Sequence, residues 1–319
     1  MKTNKPENHF DDFDLRLIAE LELDARKTSS DLAKELGTSA ITVRKRLKRL
    51  MDNNIITFAT VTSPTVVGYL SRAVIALNVS AGKSDAVAAQ LAPCGNIQNI
   101  IATSGRYDMI VALIIRDLDD LLRFVTETLG GITEIIHTEV MLSLKQLKYD
   151  WPYLGAKEFV AEQIEKTQET DALDREIIKA LEANPRESVS SLARDLAVNR
   201  AIISKRMQEL VEGGTVRIIC VPELAALGYK LWTAIQIKTE LSDINTVAEK
   251  LTQYRDVTHV TITTGSFNIS ISAVFKNRED MFHFVNVELG NIPGVLQHET
   301  LVNLKDYKRS FNLLSQMDK

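Results

Sequence analysis

The sequence lacks most of the features that would place it outside ordinary globular proteins. Its two cysteines, Cys94 and Cys220, lie far apart and fit no C-x-x-C motif or zinc-ligand spacing. No apolar run reaches the ~18 residues that a membrane-spanning helix requires. The N-terminal MKTNKPENHFDDFD has no apolar segment typical of a signal peptide. We therefore expect a soluble, cytoplasmic protein with reduced thiols, no bound metal and no membrane partner.

Motifs for catalysis and cofactor binding are also scarce. The sequence has no Walker loop, no G-x-S-x-G and no G-x-G-x-x-G, and its five histidines are scattered without metal-ligand spacing. Positive charge is not in excess either, because the net charge is −4 and the sequence pI is near 5.8. Any contact with nucleic acid must therefore come from local clustering of basic residues. The sequence predicts no enzyme activity and no cofactor.

The feature that organises the chain is an internal repeat. Shifted by 160 positions, the sequence aligns with itself without a gap from about residue 13 to about residue 149. In this register FDLRLIAELELDAR aligns with LDREIIKALEANPR, VRKRLKRL with ISKRMQEL, and TSGRYD with TTGSFN. Roughly a fifth of the aligned pairs are identical, and most of the others exchange one apolar residue for another. We therefore expect two copies of one structural unit.

The first sixty residues of each copy alternate helical patterns with short breaks. In the first copy Asp14 is expected to cap a first helix, TSS precedes a short second helix, and Gly37 permits a sharp turn. Ser39 is the expected cap of a third helix, whose predicted buried stripe is Val43, Leu47 and Leu50. The stretch IITFATVT then predicts a strand or wing. Together these elements indicate a winged helix-turn-helix.

The rest of each copy predicts the element order βαββαβ. In the first copy the segments are RAVIALNV, SDAVAAQLA, IQNIIATS, YDMIVALII, LDDLLRFVTETL and EIIHTEVMLSL. This order is the ferredoxin-like pattern, in which helices cover one face of an antiparallel sheet. The other face is partly apolar, and the second copy or another chain is expected to cover it. The fold class is therefore α+β, with two tandem copies of a winged helix-turn-helix plus a ferredoxin-like domain.

The repeat also sets the predicted domain boundaries. The winged helix-turn-helix modules are expected at 11–62 and 171–222, the βαββαβ domains at 63–154 and 223–319, and a charged, Gln-rich linker at 155–170.

A winged helix-turn-helix followed by βαββαβ, with SGRYD between the second and third strands, resembles the leucine-responsive (Lrp/AsnC, or feast/famine) transcriptional regulators. The resemblance covers nearly the whole chain, twice over, whereas family members normally carry one copy and assemble as dimers and dimer-built rings. It implies a sequence-specific regulator that binds double-stranded DNA as an intrachain pseudo-dimer. It also implies a small-molecule effector, usually an amino acid, and further homo-oligomerisation through the βαββαβ domains.

The third helix of the first copy is the expected recognition helix. Between residues 26 and 50, eight Lys and Arg oppose two Asp and Glu, although a basic run can also be a solvated helix face. In a helix-turn-helix the N-terminal residues of this helix enter the major groove and basic groups further along meet phosphates. The candidate DNA contacts are Ser39, Ala40, Thr42, Arg44, Lys45, Arg46, Lys48 and Arg49. Arg46 and Arg49 are assigned to phosphates or to a structural ion pair.

The equivalent helix of the second copy carries less positive charge. Between residues 186 and 210 there are five Lys and Arg against three Asp and Glu. Its candidate DNA contacts are Asn199, Arg200, Ser204, Lys205 and Arg206, where Asn199 and Arg200 could read adenine and guanine edges. The sequence predicts either weaker binding with a different base preference or a purely structural module.

The resemblance places the effector near a glycine-centred turn of the sheet domain. Residue by residue, it implies Gly105, Tyr107 and Asp108 in the first copy and Gly265, Phe267 and Asn268 in the second. From the residues alone, Gly105 could equally form a β-turn that its neighbours stabilise. The second copy lacks the carboxylate that could receive an α-ammonium group, so it either binds a different ligand or has no functional site.

Two other function classes remain open from the sequence. Sirohaem decarboxylases share this two-part architecture, but their chemistry needs histidine and basic groups around the propionates, and the turns GRYD and GSFN contain no histidine. A structural DNA-organising protein would bind DNA without any dependence on an effector.

Overall fold

The computed structural model describes residues 11–149 and 169–317, so most of the predicted linker at 155–170 lies outside the described residues. The helices of the first copy are α1 (Asp12–Leu23), α2 (Ser29–Glu35), α3 (Ala40–Asp52), α4 (Ser84–Leu91) and α5 (Leu118–Arg123), with a π-helical continuation at Phe124–Leu129. Its strands are β1 (Ile56–Thr62), β2 (Ser71–Val79), β3 (Ile97–Ser104), β4 (Met109–Ile115) and β5 (Ile135–Tyr149).

The second copy repeats this order, which confirms the duplicated α+β architecture. Its helices are α6 (Ala172–Ala183), α7 (Val189–Asp195), α8 (Arg200–Glu212), α9 (Ile244–Thr252) and α10 (Arg278–His283), followed near the C-terminus by α11 (Leu314–Met317). Its strands are β6 (Val216–Pro222), β7 (Leu231–Thr239), β8 (Val257–Thr263), β9 (Ile269–Phe275) and β10 (Val295–Arg309). None of the helices in the described ranges is both long and apolar enough to cross a membrane.

The helix-turn-helix of the first copy begins one turn earlier than predicted. Asp11, not Asp14, caps α1, because the Asp11 side chain accepts the Asp14 N–H at 2.9 Å and Asp14 accepts the Asp11 N–H in return. The assignment of Asp14 as the cap was therefore wrong, and Asp14 is instead fully buried at the third helical position. Ser39 does cap α3, as predicted, and accepts the Thr42 N–H at 3.1 Å.

The predicted wing is half of a ribbon shared by the two modules. Strand β1 pairs antiparallel with β6, and Ala59 faces Ile219. These two residues are related by the 160-residue shift, so a pseudo-two-fold axis passes through their pair. The ribbon therefore joins the two helix-turn-helix modules and fixes them as a symmetric pair.

The two sheet domains close into one antiparallel barrel. The strand order is β10-β3-β4-β2-β5-β8-β9-β7, so each copy contributes four neighbouring strands and β5 and β10 form the seams. Both strands run about five residues beyond their predicted ends, because their C-terminal halves pair with β8 and β3 of the other copy. The inner face of each sheet is thus covered by the other copy, which is one of the two alternatives that the sequence left open.

Each seam is reinforced by a lysine that caps a helix of the other copy. Lys308 Nζ donates to the carbonyls of Ala92 at 2.9 Å and Cys94 at 2.8 Å, just beyond the end of α4. The equivalent Lys148 donates to the carbonyls at the end of α9, at 3.1 and 3.0 Å. A cation is favourable there because the last carbonyls of a helix lack partners within it.

Candidate nucleic-acid interface and effector sites

Two of the basic residues on α3 are bound inside their own module. Arg46 contacts the carboxylates of Asp11 at 2.7 Å and Asp14 at 3.2 Å, and Arg49 also binds Asp14. A fully buried carboxylate needs such partners, because removing a charge from water is costly unless it is paired. Arg46 and Arg49 thus occupy the structural ion pair that the sequence left open as an alternative to phosphate contact.

Two other cations of α3 point outward. Arg44 and Lys45 are exposed, and neither forms an ion pair within the described part of the chain. Lys48 is exposed too, but it pairs with Asp52 one turn later at 3.0 Å. Such a surface pair is worth little and is easily exchanged for a phosphate. The outward positive charge of α3 therefore centres on Arg44 and Lys45.

The first turn of α3 carries one exposed residue that the sequence analysis missed. Ile41 is 72% exposed, next to Ser39 and Thr42, whose hydroxyls share a hydrogen bond of 2.9 Å. Ala40, at the first helical position, is half-buried. The sequence could have indicated this exposure, because Ile41 does not belong to the predicted buried stripe of Val43, Leu47 and Leu50. An apolar side chain at this position of a recognition helix can contact the methyl group of thymine.

The equivalent face of α8 is more self-contained. Arg206 binds Asp171 at 2.8 Å and Asp174 at 3.2 Å, and Lys205 lies 3.7 Å from Glu209. Arg200 and Ser204 are exposed.

Asn199, a predicted reader of adenine, is the N-cap of α8. Its Oδ1 accepts the N–H of Ala201 at 2.8 Å, although the residue is exposed. A bidentate contact with adenine needs both the oxygen and the nitrogen of the amide. Base reading by Asn199 would therefore compete with the cap.

A pair of equivalent arginines joins the two helix-turn-helix modules. Arg26 donates to the carbonyls of Pro185 at 3.2 Å and Glu187 at 2.9 Å in the second module. Arg186 returns one hydrogen bond of 2.8 Å to the carbonyl of Lys27 and stacks over the Phe58 ring. Each arginine thus ties its own α1–α2 or α6–α7 corner to the corner of the other module.

The two glycine-centred turns pack against the opposite copy. Gly105 and Gly265 both have positive φ angles, +112° and +113°, which a side chain would strain. A Cβ on Gly105 would lie 3.0 Å from Leu301 of β10, and one on Gly265 would lie 3.1 Å from Met141 of β5. Glycine is therefore required twice over, by conformation and by close approach.

Tyr107 is buried beside the first glycine turn and donates its hydroxyl to Glu139 of β5. Glu139 also accepts the N–H of Ser266, in the second turn, at 3.3 Å. Burial and Glu139 raise the pKa of Tyr107 to about 12. Burial alone would raise the pKa of Glu139, but the hydrogen bonds from Tyr107 and Ser266 keep it below its usual value. One carboxylate thus links both turns.

Asp108 and Asn268 perform the same structural task. Asp108 Oδ2 accepts the N–H of Val79 at 2.9 Å, and Asn268 Oδ1 accepts the N–H of the equivalent Thr239 at 3.0 Å. This shared contact explains why an aspartate and an asparagine can exchange here, since both offer an acceptor oxygen. Phe267 is buried. Binding of an effector by the residues of these turns stays a prediction.

A cavity of about 140 Å³ lies inside the barrel, between the inner faces of the two sheets. Arg72, Gln98, Gln146, Gln236, His259 and Asn303 are among the polar residues that line it, and no aspartate or glutamate does. Burial and then the nearby Arg72, Arg309, Arg217 and Lys148 lower the pKa of His259 to about 3. His259 is therefore neutral at physiological pH. Across the described ranges, no group of three or more His, Cys, Asp and Glu side chains could hold a metal ion.

Models of known protein families match both parts of both copies. The Lrp/AsnC ligand binding domain matches residues 72–152 and 233–313. A winged helix-turn-helix DNA-binding domain matches residues 10–57, and the AsnC-type helix-turn-helix domain matches residues 171–211.

Relatives of known sequence correspond to a single copy. The HTH-type transcriptional regulator FL11 of Pyrococcus abyssi is 32% identical over 146 residues, which cover 45% of this chain and 95% of the relative. The HTH-type transcriptional regulator Ptr1 of Methanocaldococcus jannaschii is 30% identical over 139 residues, or 43% and 94%. Among solved structures, the siroheme decarboxylase NirDL superposes with a TM-score of 0.65, covering 96% of this chain and 97% of NirDL, at 15% identity. That likeness shows a shared fold.

Proposed function

Since the chain belongs to the Lrp/AsnC family of DNA-binding transcriptional regulators, we propose that its two helix-turn-helix modules bind one DNA site with unequal strength. The observation that carries this proposal is the pseudo-two-fold axis through Ala59 and Ile219, which makes one chain equivalent to a dimer. A symmetric pair of modules reads a palindrome, because half-site symmetry mirrors the symmetry of the protein. Two modules with different recognition helices favour an asymmetric site.

The two recognition helices differ in the charge that they can offer to DNA. On α3, Arg44 and Lys45 are exposed and form no ion pair among the described residues. On α8, Ser204 takes the place of Arg44, and Lys205 is partly neutralised by Glu209. Because phosphate contacts supply much of the affinity for DNA, α3 is the stronger of the two helices.

Gel shifts at fixed salt test this inequality. Arg44→Ala should weaken binding more than Ser204→Ala or Lys205→Ala. If Arg44 meets a phosphate, its loss should also reduce the salt-dependence slope by about 0.9, whereas loss of a base contact should relax specificity by about 1–3 kcal/mol at one position. Arg116→Ala, on the barrel, is the matched control and should leave binding unchanged. Equal losses of DNA affinity from variants of the two modules would contradict the proposal that the modules bind with unequal strength.

The same assay tests the exposed isoleucine of α3. Ile41→Ser should reduce binding to sites with a thymine at one position and leave sites without it unaffected, because only thymine has a methyl group in the major groove. Indifference to this substitution on every sequence would remove Ile41 from the reading surface.

The effector of this regulator is proposed to be a small molecule such as an amino acid, as the match to a ligand binding domain supports. For the glycine turns, Asp108→Asn is the sharpest test, since Asn268 already occupies the equivalent position with the same structural contact. If Asp108 receives an α-ammonium group, this variant should fold normally and lose the response to effector. An unchanged response would leave Asp108 with its structural role alone.

Further assembly through the sheet domains is proposed from exposed apolar residues that recur in both copies. Leu122 and the equivalent Phe282 are 60% and 66% exposed, and Ile136 and the equivalent Leu296 are also exposed. Apolar side chains that recur at equivalent surface positions suggest an interface with a second copy of this chain. Light scattering should show a smaller particle for Phe282→Asp than for the unmodified chain. The same mass for both would argue against this surface.

We propose that the chain is a regulator in the cytoplasm and not an enzyme. The likeness to a siroheme decarboxylase concerns the fold alone, and the barrel cavity of about 140 Å³ is close to the size that holds benzene. A tetrapyrrole is several times larger. Mixing the purified protein with sirohaem should therefore give no shift of the Soret band. A saturable shift with release of carbon dioxide would support the enzymatic alternative, and DNA binding that ignores every effector would support an organising role.

A further inference from the structure

The inner faces of the barrel have diverged between the two copies. Ala76, Ile110 and Ala112 of the first copy correspond to Gln236, Ser270 and Ser272 of the second. Ile110 and Ala76 belong to a buried apolar cluster with Tyr107, Met141 and Leu301, and Ile110 also lines the cavity. The equivalents of these two residues line the cavity as well, and both are polar. The second copy therefore carries polar side chains at inner-face positions where the first copy is apolar.

Gln236 lines the cavity and carries a polar atom that the described residues do not satisfy. It is 2% exposed, and its Nε2 donates to Ser270 Oγ at 3.0 Å. Its Oε1 has no hydrogen-bond partner among the described residues, and the residue lines the cavity. Buried polar groups are nearly always hydrogen-bonded, so an unpartnered acceptor on a residue that lines a cavity favours a ligand with an N–H or O–H donor.

The opposite wall supplies positive charge. Arg72 donates to Gln146 Oε1 at 2.9 Å and lies 5.1 Å from the centre of the Tyr149 ring. It forms no ion pair with a carboxylate in the part of the chain that the structure describes. The field at His259 is positive as well, since four cations act on it. A guanidinium beside a cavity that no acidic residue lines is suited to an anion, and its planar fork fits a carboxylate.

We propose that the barrel interior binds one small carboxylate per chain, with the carboxylate at Arg72 and an N–H or O–H donor of the same molecule at Gln236. The size of the cavity limits the ligand to about six to ten heavy atoms. A role for this ligand as the effector rests on the proposed function, but the binding site itself does not. This site is separate from the glycine turns.

The position of the cavity suggests how occupancy reaches the rest of the molecule. Ser143 and Thr263 face each other across one seam, Asn303 and Thr103 face each other across the other, and all four line the cavity. A ligand held between the walls therefore bears on both seams at once. Its binding should stabilise the closed barrel, because any ligand that binds only the folded state raises its stability.

Tryptophan fluorescence gives a direct test, because Trp232 lines the cavity and the sequence contains one other tryptophan, Trp151. In the full chain carrying Trp151→Phe, titration with L-alanine and with L-lactate separates the amino from the hydroxy form of the ligand. Inorganic phosphate serves as an anion without the carbon frame. We expect saturable binding of at least one carboxylate at one molecule per chain, confirmed by calorimetry, together with a rise in Tm.

Variants then assign the site. In this background Arg72→Gln should raise the Kd about tenfold or more, and Gln236→Leu should raise it several-fold, because each removes one partner of the ligand. Arg106→Gln, which alters a cation at the glycine turn, should leave the Kd unchanged. The ligand-induced rise in Tm should disappear in Arg72→Gln even if that variant is less stable by itself.

Three results would overturn the proposal. The first is no saturable response to either carboxylate, and the second is binding of phosphate alone. The third is carboxylate binding that survives Arg72→Gln and is lost in Arg106→Gln. Gel shifts without ligand distinguish failure of the cavity proposal from failure of the proposed function. In these gel shifts Arg72→Gln should bind DNA like the unmodified chain. Absence of DNA binding by the unmodified chain would count against the proposed function and not against the cavity site.

Discussion

The reciprocal contacts of Arg26 and Arg186 between the two helix-turn-helix modules lead to a quantitative prediction about the spacing of the modules. Arg26 donates two hydrogen bonds to carbonyls of the second module, while Arg186 donates one and leaves its Nη1 buried without a partner among the described residues. Together with the β1–β6 ribbon, these contacts hold α3 and α8 at one separation. Arg26→Ala should therefore loosen the pair of modules without unfolding either.

The magnitude follows from the number of contacts. Hydrogen bonds from a charged donor contribute about 1.5–3 kcal/mol each, and the burial that lowers the pKa of Arg26 shows that some of this is spent on desolvation. We expect Arg26→Ala to cost about 2–4 kcal/mol in the unfolding transition of the helix-turn-helix pair. Arg186→Ala should cost less, about 1–2 kcal/mol, because one hydrogen bond and a stacking contact are lost while an unsatisfied group is removed.

The assays are urea unfolding followed by circular dichroism and gel shifts on DNA sites whose half-site spacing varies by single base pairs. The unmodified chain should prefer one spacing, and Arg26→Ala should bind several spacings more equally. Arg26→Lys is the matched control, since it keeps the charge but cannot form the two-pronged contact. The reasoning is refuted if Arg26→Ala leaves both the transition and the spacing preference unchanged.

Four further predictions concern single side chains. Asp14→Asn should destabilise the first module by about 3–5 kcal/mol in calorimetry, because it leaves Arg46 and Arg49 without their buried partner. The equivalent Asp174→Asn should destabilise the second module less, because Asp174 pairs with one arginine, Arg206. Equal destabilisation by the two variants would contradict this account. Lys308→Met should lower barrel stability by about 2–4 kcal/mol in thermal unfolding, through two lost helix-end contacts. Because folding lowers the pKa of Glu139, its ionised form stabilises the fold above pH 4.5, and this stabilisation is lost as the pH falls through the folded pKa. In Glu139→Gln the free energy of unfolding should therefore fall less steeply at acidic pH. Burial strongly raises the pKa of Cys220, and its thiol should react with DTNB only after unfolding.

The order of elements could be predicted from the sequence because it depends on local periodicity. The cap of α1 shows where this reasoning stops, since Asp11 and Asp14 are both plausible caps and form a reciprocal pair. The same reciprocal pair, Asp171 and Asp174, begins α6, and a helix pattern does not show which of the two aspartates lies outside the helix. For Arg46 and Arg49 the sequence offered a structural ion pair or phosphate contact. It could not decide between them, because the position of the buried Asp14 relative to α3 depends on tertiary packing.

Pairing between distant strands was also beyond local prediction. The sequence indicated a strand at IITFATVT but not that its partner is the equivalent strand 160 residues away. The extra length of β5 and β10 has the same cause, because their terminal residues are ordered by pairing with the other copy. The cavity residues Gln236 and Ser270 were visible as polar exchanges in the alignment. Their importance depends on which face of β7 and β9 points inward.

Several residues that join the two copies are identical in both, whereas several residues of the proposed ligand sites differ. Arg26 and Arg186, Lys148 and Lys308, and the two turn glycines are the same in both copies, and each contacts the opposite copy. The positions that differ include exposed residues of α3 and α8 and several residues on the walls of the cavity. In a dimer of identical chains every such position is constrained twice, because one substitution alters both halves. Joining the halves in one chain removes that constraint, and it is what allows an off-axis ligand such as a small carboxylate to bind once between two unlike walls.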